Sequence, residues 1–528
     1  MAHYYEADLK RPSTFNFADD VVDYWASHSP PSALAMHWVS SDLERERKLT
    51  FEHFSNQSNR IAILLRNTLG ISAGEKLLII IPRVPEWWEI ATACIRCGIV
   101  VCPATTLLVD KDIEYRANRS GATCFVGDET SISKLVRVKK HCPKIKHVLQ
   151  VGGSSAPNGV TLLSELLHSI SSDAKYGGSK PNIKNPVMVY FTSGTTGWAK
   201  AAWAFFGVWN CGAGLFIHDD RGPFNSKMTL GMLHRFPITT FCAPPTAYRQ
   251  LVLDEMRQHL QQNRPGALVH CTGAGEPLNP EVIRLWKEAT GLNICDGFGQ
   301  TETILVCGNF EGAPIRPGSM GKPSPGVPLH VVDDAGNECA QDVEGDIALK
   351  VDLSESSNFF GVFDGYLGED GKLDRRLRPG GEGDEQPWYL TGDRATRDAD
   401  GYFWFVGRSD DVINSSGYRI GPFEVESTLK LHPAVVESAV VSSPDESRGE
   451  VVKAFVVLTP QAAKGNHVEL TKELQDFCKA NSAPYKYPRQ VSIVEASFLP
   501  KTISGKIQRK RLKEMEWARL PKRKASKL

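Results

Sequence analysis

The chain has 528 residues, more than one hydrophobic core organises, so two or three domains are expected. Its 41% hydrophobic and 23% charged residues are those of an ordinary soluble globular protein. Sixty-one Lys+Arg balance 61 Asp+Glu, so no global field draws it to nucleic acid or to a membrane surface.

Met1–Ala18 carries Glu6 and Asp8 and no apolar core, which argues against a signal or transit peptide. The longest apolar runs, such as Leu77–Ile81, are far too short to span a bilayer. Leu77–Ile81, a helix over Pro85–Cys97 and Ile99–Cys102 read as a βαβ unit. The CxxC in that helix, Cys94 to Cys97, reads as buried packing, because no second pair has zinc-ligand spacing. The twelve cysteines show no framework and suit a reducing compartment.

Val187–Tyr190 is a strand-like run that opens into Thr192-Ser193-Gly194-Thr195-Thr196-Gly197, followed by Trp198 and Lys200. A loop of glycines and hydroxyl residues can turn its N–H groups inward as a nest for phosphate, with the lysine adding charge. The Walker spacing is absent. A second βαβ unit is expected over Ala267–Thr272, a helix capped by Asn279-Pro280, and Leu292–Cys295. Such an architecture gathers ligands at the C-terminal ends of its strands. Gly273-Ala274-Gly275-Glu276-Pro277 and Asp296-Gly297-Phe298-Gly299-Gln300-Thr301-Glu302 occupy those ends. Small residues let a planar base approach, Phe298 can stack on a purine, and Thr301 and Glu302 offer oxygen ligands to Mg²⁺.

Ser354–Gln386 turns polar and glycine-rich and reads as a long surface excursion. Beyond it, Asp393 in Tyr389-Leu390-Thr391-Gly392-Asp393 suits ribose hydroxyls, and Arg408 and Arg419 are permanent cations suited to phosphates. After Asp410 a smaller α/β segment follows, with strands at Glu437–Val441 and Val452–Leu458 and a helix over Thr471–Asn481. Pro500-Lys501-Thr502-Ile503-Ser504-Gly505-Lys506 ends in a lysine, and the chain closes on Ser526-Lys527-Leu528, the tripeptide read by the peroxisomal import receptor.

The order of these segments resembles the adenylate-forming acyl-CoA synthetases, and INSSGYRIGP, HPAVVESAVVSSPDESRGEVVKAFVVL and APYKYPR resemble their medium-chain subgroup. The resemblance implies an α/β fold: a large AMP-binding domain of mostly parallel sheets over 1–410, and a smaller mobile α+β domain over 411–528 that rotates about Asp410. It implies ATP-dependent ligation of a medium-chain fatty acid to coenzyme A through an acyl-adenylate, with Mg²⁺ as cofactor. Lys506, Arg408 and Lys200 are the implied catalytic cations. The nucleotide falls to Thr192–Gly197, Gly275, Glu276, Asp296–Thr301, Asp393 and Arg419. Ser416, Gly417, Tyr418, Arg448, Tyr487, Pro488 and Arg489 would meet coenzyme A, and Trp198 the acyl chain.

Three departures stand out. The family's loop proline is Ala199, and Trp198–Trp203 resembles a later tunnel-lining segment joined directly to the loop. Several dozen residues, including a strand and a helix, are therefore expected to be missing, with Lys200 at the loop-lysine position by coincidence of the join. Leu107 stands where relatives tend to carry a glutamine. Competing expectations are a ligase for an aryl or branched acid, and a protein that binds nucleotide or coenzyme A without adenylating. A peptide-synthetase adenylation domain is disfavoured, because no carrier domain follows.

Overall fold

A computed structural model describes residues 14–191, 206–222, 224–352, 354, 361–368, 370–381, 386–415, 418–445, 448–483, 485–501 and 507–518, without the side chains of 418 and 419. The described residues fall into two compact units, one from 14–191 and 206–224, the other from 225–518.

In the first unit, β1 (Leu34–Val39) and β2 (Glu46–Thr50) pair antiparallel, and β3 (Lys76–Ile80) begins a parallel sheet. A helix over Pro85–Cys97 starts with proline and stops at Gly98, whose φ of +76° suits a residue without a side chain. It leads to β4 (Val100–Pro103), parallel to β3, so the predicted βαβ unit forms. β5 (Cys124–Gly127), β6 (His147–Gln150) and β7 (Thr161–Leu162) complete the order β4-β3-β5-β6-β7, parallel throughout. Burial on both faces explains why these strands read as unbroken apolar runs. Cys94 and Cys97 are buried in this core, and burial pushes both thiols up, that of Cys97 to about 11. They are packing residues.

The segment beyond the GTTG loop returns as β8 (Leu215–His218), parallel to β1. Trp209 just before it is fully buried, donates Nε1–H to Ala35 O at 2.8 Å, and lies 4.6 Å from the Phe54 ring centre.

The second unit opens with β9 (Thr240–Ala243), β10 (His270–Ala274) and β11 (Ile294–Gly299), all parallel, and β12 (Leu305–Gly308) and β13 (Lys322–Pro323) extend the sheet antiparallel. Between β10 and β11 the helix over Pro280–Thr290 begins as expected, with the Asn279 side chain accepting from Glu281 N–H at 2.8 Å.

An antiparallel sheet follows, built from β14 (Leu329–Val332) and β15 (Gly345–Lys350). A short hairpin, β16 (Tyr366–Leu367) and β17 (Leu373–Asp374), precedes its remaining strands, β18 (Leu377–Arg378), β19 (Trp388–Arg397) and β20 (Phe403–Arg408). The stretch read as a surface excursion is therefore partly structured: β18 sits in the sheet and 361–363 pair with 302–304.

The last sheet, β21 (Ile413–Ser415), β22 (Tyr418–Ile420), β23 (Val435–Asp445), β24 (Gly449–Leu458) and β25 (Gln490–Ile493), has its own apolar core around Val440, Val452, Leu474 and Cys478. A helix over His467–Asn481 covers it, and one over Arg509–Trp517 packs on β23. Among the described residues no helix is long and apolar enough to cross a membrane.

Candidate active site

β10 and β11 run parallel with Gly273 opposite Asp296 and Ala274 opposite Gly297. The loops leaving them, Gly275-Glu276-Pro277 and Gln300-Thr301-Glu302, therefore start side by side. Gly275 has φ +100°, a left-handed conformation that L side chains rarely adopt. At Gly299 a Cβ would sit 2.5 Å from Ile304 O, so the turn between β11 and β12 closes only around glycine. Glu276 lies 3.5 Å from Arg249. Asp296 is buried and accepts from Gly297 N–H at 3.0 Å. Burial pushes its carboxyl up to about 8, with the Gly297 and Leu278 N–H groups pulling the other way.

β19 and β20 bring the next two residues together. Their register sets Asp393 opposite Arg408, with Arg408 Nη1 3.8 Å from Asp393 Oδ1. Arg408 also donates from Nε to Asp410 Oδ1 at 3.1 Å. Burial alone would lower the Arg408 pKa, but the Asp393 and Asp410 charges outweigh it and hold the guanidinium above its usual range. Gln300 ties this strand pair to β11: its Nε2 donates to Asp393 Oδ2 at 2.5 Å and to Thr391 O at 2.9 Å. One side chain thus ties the loop after β11 to the Asp393 carboxylate.

Glu302 is half-buried, and its Oε1 accepts from the Tyr366 hydroxyl at 2.9 Å. Thr301 and Glu302 suit magnesium, which takes one or two protein oxygens and fills its remaining sites with phosphate and water. Among the described residues no group of three or more His, Cys, Asp or Glu could hold a metal by itself. Sequence reasoning missed Tyr366. The available signal was the apolar patch Val362, Phe363 and Tyr366 inside an otherwise polar stretch.

In the last sheet, Arg489 Nη1 donates to the Tyr487 hydroxyl at 2.8 Å. Lys479 Nζ lies 4.6 Å from the Tyr487 ring centre, so two cations flank one aromatic. Gln475 holds the backbone of Pro488 and Arg489 through bonds of 3.0 and 3.1 Å. Arg448 is exposed beside the end of β23, its N–H bonded to Asp445. Thr192, Ser193, Gly194, Thr195, Thr196, Gly197, Trp198, Lys200, Ser416, Gly417 and Lys506 lie outside the described residues, as do the side chains of Tyr418 and Arg419.

The AMP-binding enzyme model matches residues 22–204 and 198–367, and the model of the AMP-binding enzyme C-terminal domain matches 424–506. The chain belongs to the AMP-binding enzyme family. It is 40% identical to human acyl-coenzyme A synthetase ACSM5, mitochondrial, over 96% of this chain and 92% of that one. Mouse acyl-coenzyme A synthetase ACSM3, mitochondrial, is 41% identical over the same shares. A solved Brucella canis acyl-CoA synthetase is 32% identical, with a TM-score of 0.68 and 97% of this chain and 96% of that one covered.

The two stretches matched by the AMP-binding model overlap across 198–204, the place where the tunnel-like segment follows the loop directly. The alignment with the human relative runs over 552 positions although only 96% of 528 residues, about 507, take part, which leaves about 45 positions this synthetase does not fill. The human and mouse relatives are named as mitochondrial, which overturns the peroxisomal address read from Ser526-Lys527-Leu528 and leaves the import receptor without support as a partner. Three terminal residues in a basic, serine-containing tail carry little information against similarity along nearly the whole chain.

Proposed function

We propose that this acyl-CoA synthetase activates a medium-chain fatty acid, with the residues gathered around Gln300 as its nucleotide site. The carboxylate attacks the α-phosphorus of ATP, the bond to pyrophosphate breaks, and an acyl-adenylate forms. The thiolate of coenzyme A then attacks the acyl carbon and expels AMP. Both substrates of the first step are anions, so catalysis depends on positive charge and in-line placement. Arg408 and Lys506 supply that charge, with Lys506 bridging carboxylate and α-phosphate. Thr192–Gly197 cradle the leaving pyrophosphate, and Lys200 stands at the end of that loop.

Asp393 accepts the ribose hydroxyls, the Gly273–Pro277 loop lies along one face of the adenine, and Phe298 stacks on it. Asp296, Gly297 and Gly299 shape the floor of this pocket. Thr301 and Glu302 hold Mg²⁺, whose chemistry is to neutralise phosphate charge. The observation that carries this reading is the Gln300–Asp393–Arg408 arrangement, where a pinned carboxylate and a permanent cation stand on adjoining strands beside a glycine-lined loop.

For the second step, residues 411–528 act as the small domain and turn about Asp410, a hinge motion that withdraws Lys506 and presents another face. Ser416, Gly417, Tyr418, Arg419, Arg448, Tyr487, Pro488 and Arg489 then receive coenzyme A. The Lys479–Tyr487–Arg489 cluster supports this, since cations backed by an aromatic suit a nucleotide's phosphates and base. Trp198 begins the wall of the acyl tunnel. The shortened region after Gly197 removes a strand and a helix from the large domain, and Lys200 replaces the loop lysine through the join.

The test is pyrophosphate release by purified protein supplied with ATP, Mg²⁺ and octanoate, with Lys506→Ala as control. Release abolished by the substitution is the expected result. Absence of release from folded protein would instead favour a nucleotide-binding protein that no longer adenylates.

A further inference from the structure

Residues 361–367 are stitched to the loop that carries Glu302. Phe363 N–H donates to Glu302 O at 2.8 Å, Ile304 N–H donates to Gly361 O at 3.1 Å, and Thr303 and Val362 form an antiparallel bridge between those bonds. This pairing delivers Tyr366, whose hydroxyl donates to Glu302 Oε1 at 2.9 Å. The Phe363 ring beside it also meets Tyr389 of β19, with centroids 5.7 Å apart.

The ring of Tyr366 has little freedom. Phe363 meets it edge-on with centroids 4.8 Å apart, and the Arg376 guanidinium covers it 4.9 Å from its centre. The β16–β17 hairpin fixes the backbone, pairing Tyr366 with Asp374. Gly365, with φ +140°, lets the hairpin close, since a Cβ there would lie 2.9 Å from Asp374 O.

We propose that Tyr366 is a positioning residue for the adenylation step: its hydroxyl holds one oxygen of Glu302 so that the other is presented to the nucleotide's Mg²⁺. This rests on the reading of Glu302 as a magnesium ligand. A carboxylate held by an outer hydrogen bond binds without first losing its rotamer freedom, and removing such outer partners typically costs about 10–100-fold in metal affinity or activity. The position lies in the polar stretch that sequence patterning assigned to the surface.

The experiment compares full-length wild type, Tyr366→Phe and Glu302→Gln by calorimetric titration with α,β-methylene-ATP, with and without Mg²⁺. Tyr366→Phe keeps the ring and its packing and removes one hydroxyl. The expected result is an affinity gain from Mg²⁺ about 10-fold smaller in Tyr366→Phe. Mg²⁺-free affinity should be unchanged, as should conversion of supplied acyl-adenylate and coenzyme A to acyl-CoA. Equal loss with and without Mg²⁺ would make Tyr366 a purely structural residue and overturn the proposal. A wild-type gain in Tyr366→Phe beside a lost gain in Glu302→Gln would overturn it too, leaving Glu302 as the ligand. A wild-type gain in both variants would show that Glu302 is not the ligand, and Tyr366 would lose its role with it.

Discussion

Asp393 and Arg408 face each other across neighbouring antiparallel strands, 3.8 Å apart at their nearest charged atoms, while Gln300 reaches over from another sheet to hold Asp393 at 2.5 Å. This places an anion and a cation, the proposed ribose and phosphate partners, on one strand pair set in register by the backbone rather than by flexible loops. A buried carboxylate with one strong donor and one nearby cation has little freedom to turn away.

Gln300→Ala removes the donor and leaves both charges in place. The KM for ATP should rise by about 10-fold, the scale of one hydrogen bond to a charged group, with a smaller effect on kcat. With Arg408 in its proposed role at the developing phosphate charge, Arg408→Ala should lower the adenylation rate by about 10²–10³-fold. Pyrophosphate release at varied ATP separates the two effects.

Asp296 offers a pH signature. Its folded-state carboxyl titrates at about 8 against an ordinary 3.8, because burial disfavours the charge. The folded chain therefore holds this proton more tightly than the unfolded chain. The stability it contributes is full below about 4 and is lost as pH rises through 8. Asp296→Asn keeps an acceptor for the Gly297 N–H and should flatten that decline. Thermal melts between pH 5 and 8.5 check it: the variant should gain on wild type steadily toward the alkaline end.

Arg509 donates to both oxygens of Glu426, at 2.8 and 2.6 Å, and Glu426 is 2% exposed. The pair fastens the start of the helix over Arg509–Trp517 to the helix over Pro422–Lys430. Arg509→Ala would leave Glu426 buried without its partner, costing about 3–5 kcal/mol. Replacing both, Arg509→Met with Glu426→Gln, should recover much of the loss. Urea unfolding followed by far-UV circular dichroism measures both variants.

Trp209 anchors the segment that follows the join. It is fully buried against Phe54 and donates to Ala35 O. Trp209→Ala should cost about 3–5 kcal/mol, and Trp209→Phe distinctly less, as read from denaturation midpoints. Equal tolerance of both would mean that the shortened chain does not rely on this contact to hold β8 beside β1.

Much of the local architecture was legible in order of residues. The runs at Leu77–Ile81 and Ile99–Cys102, the helix over Pro85–Cys97, and the Asn279-Pro280 cap all became the elements they predicted, because strand burial and helix capping act within a few residues. The motif loops at Gly273 and Asp296 were legible for the same reason: tight turns after strands demand glycine at fixed offsets. The Ser354–Gln386 stretch was misread because polarity and glycine content mark a surface segment whether or not it pairs with something. Its bonds to 302–304 join residues some 60 positions apart, and no local pattern encodes them.

By itself, then, the sequence determined the βαβ units, the chemical character of each loop and the family those loops belong to, since each rests on short-range geometry. Only the tertiary structure decided which of these groups meet: the register that sets Asp393 against Arg408, the reach of Gln300, and the delivery of Tyr366 to Glu302. Long-range strand pairing and side-chain packing make those choices, and they depend on the whole chain at once.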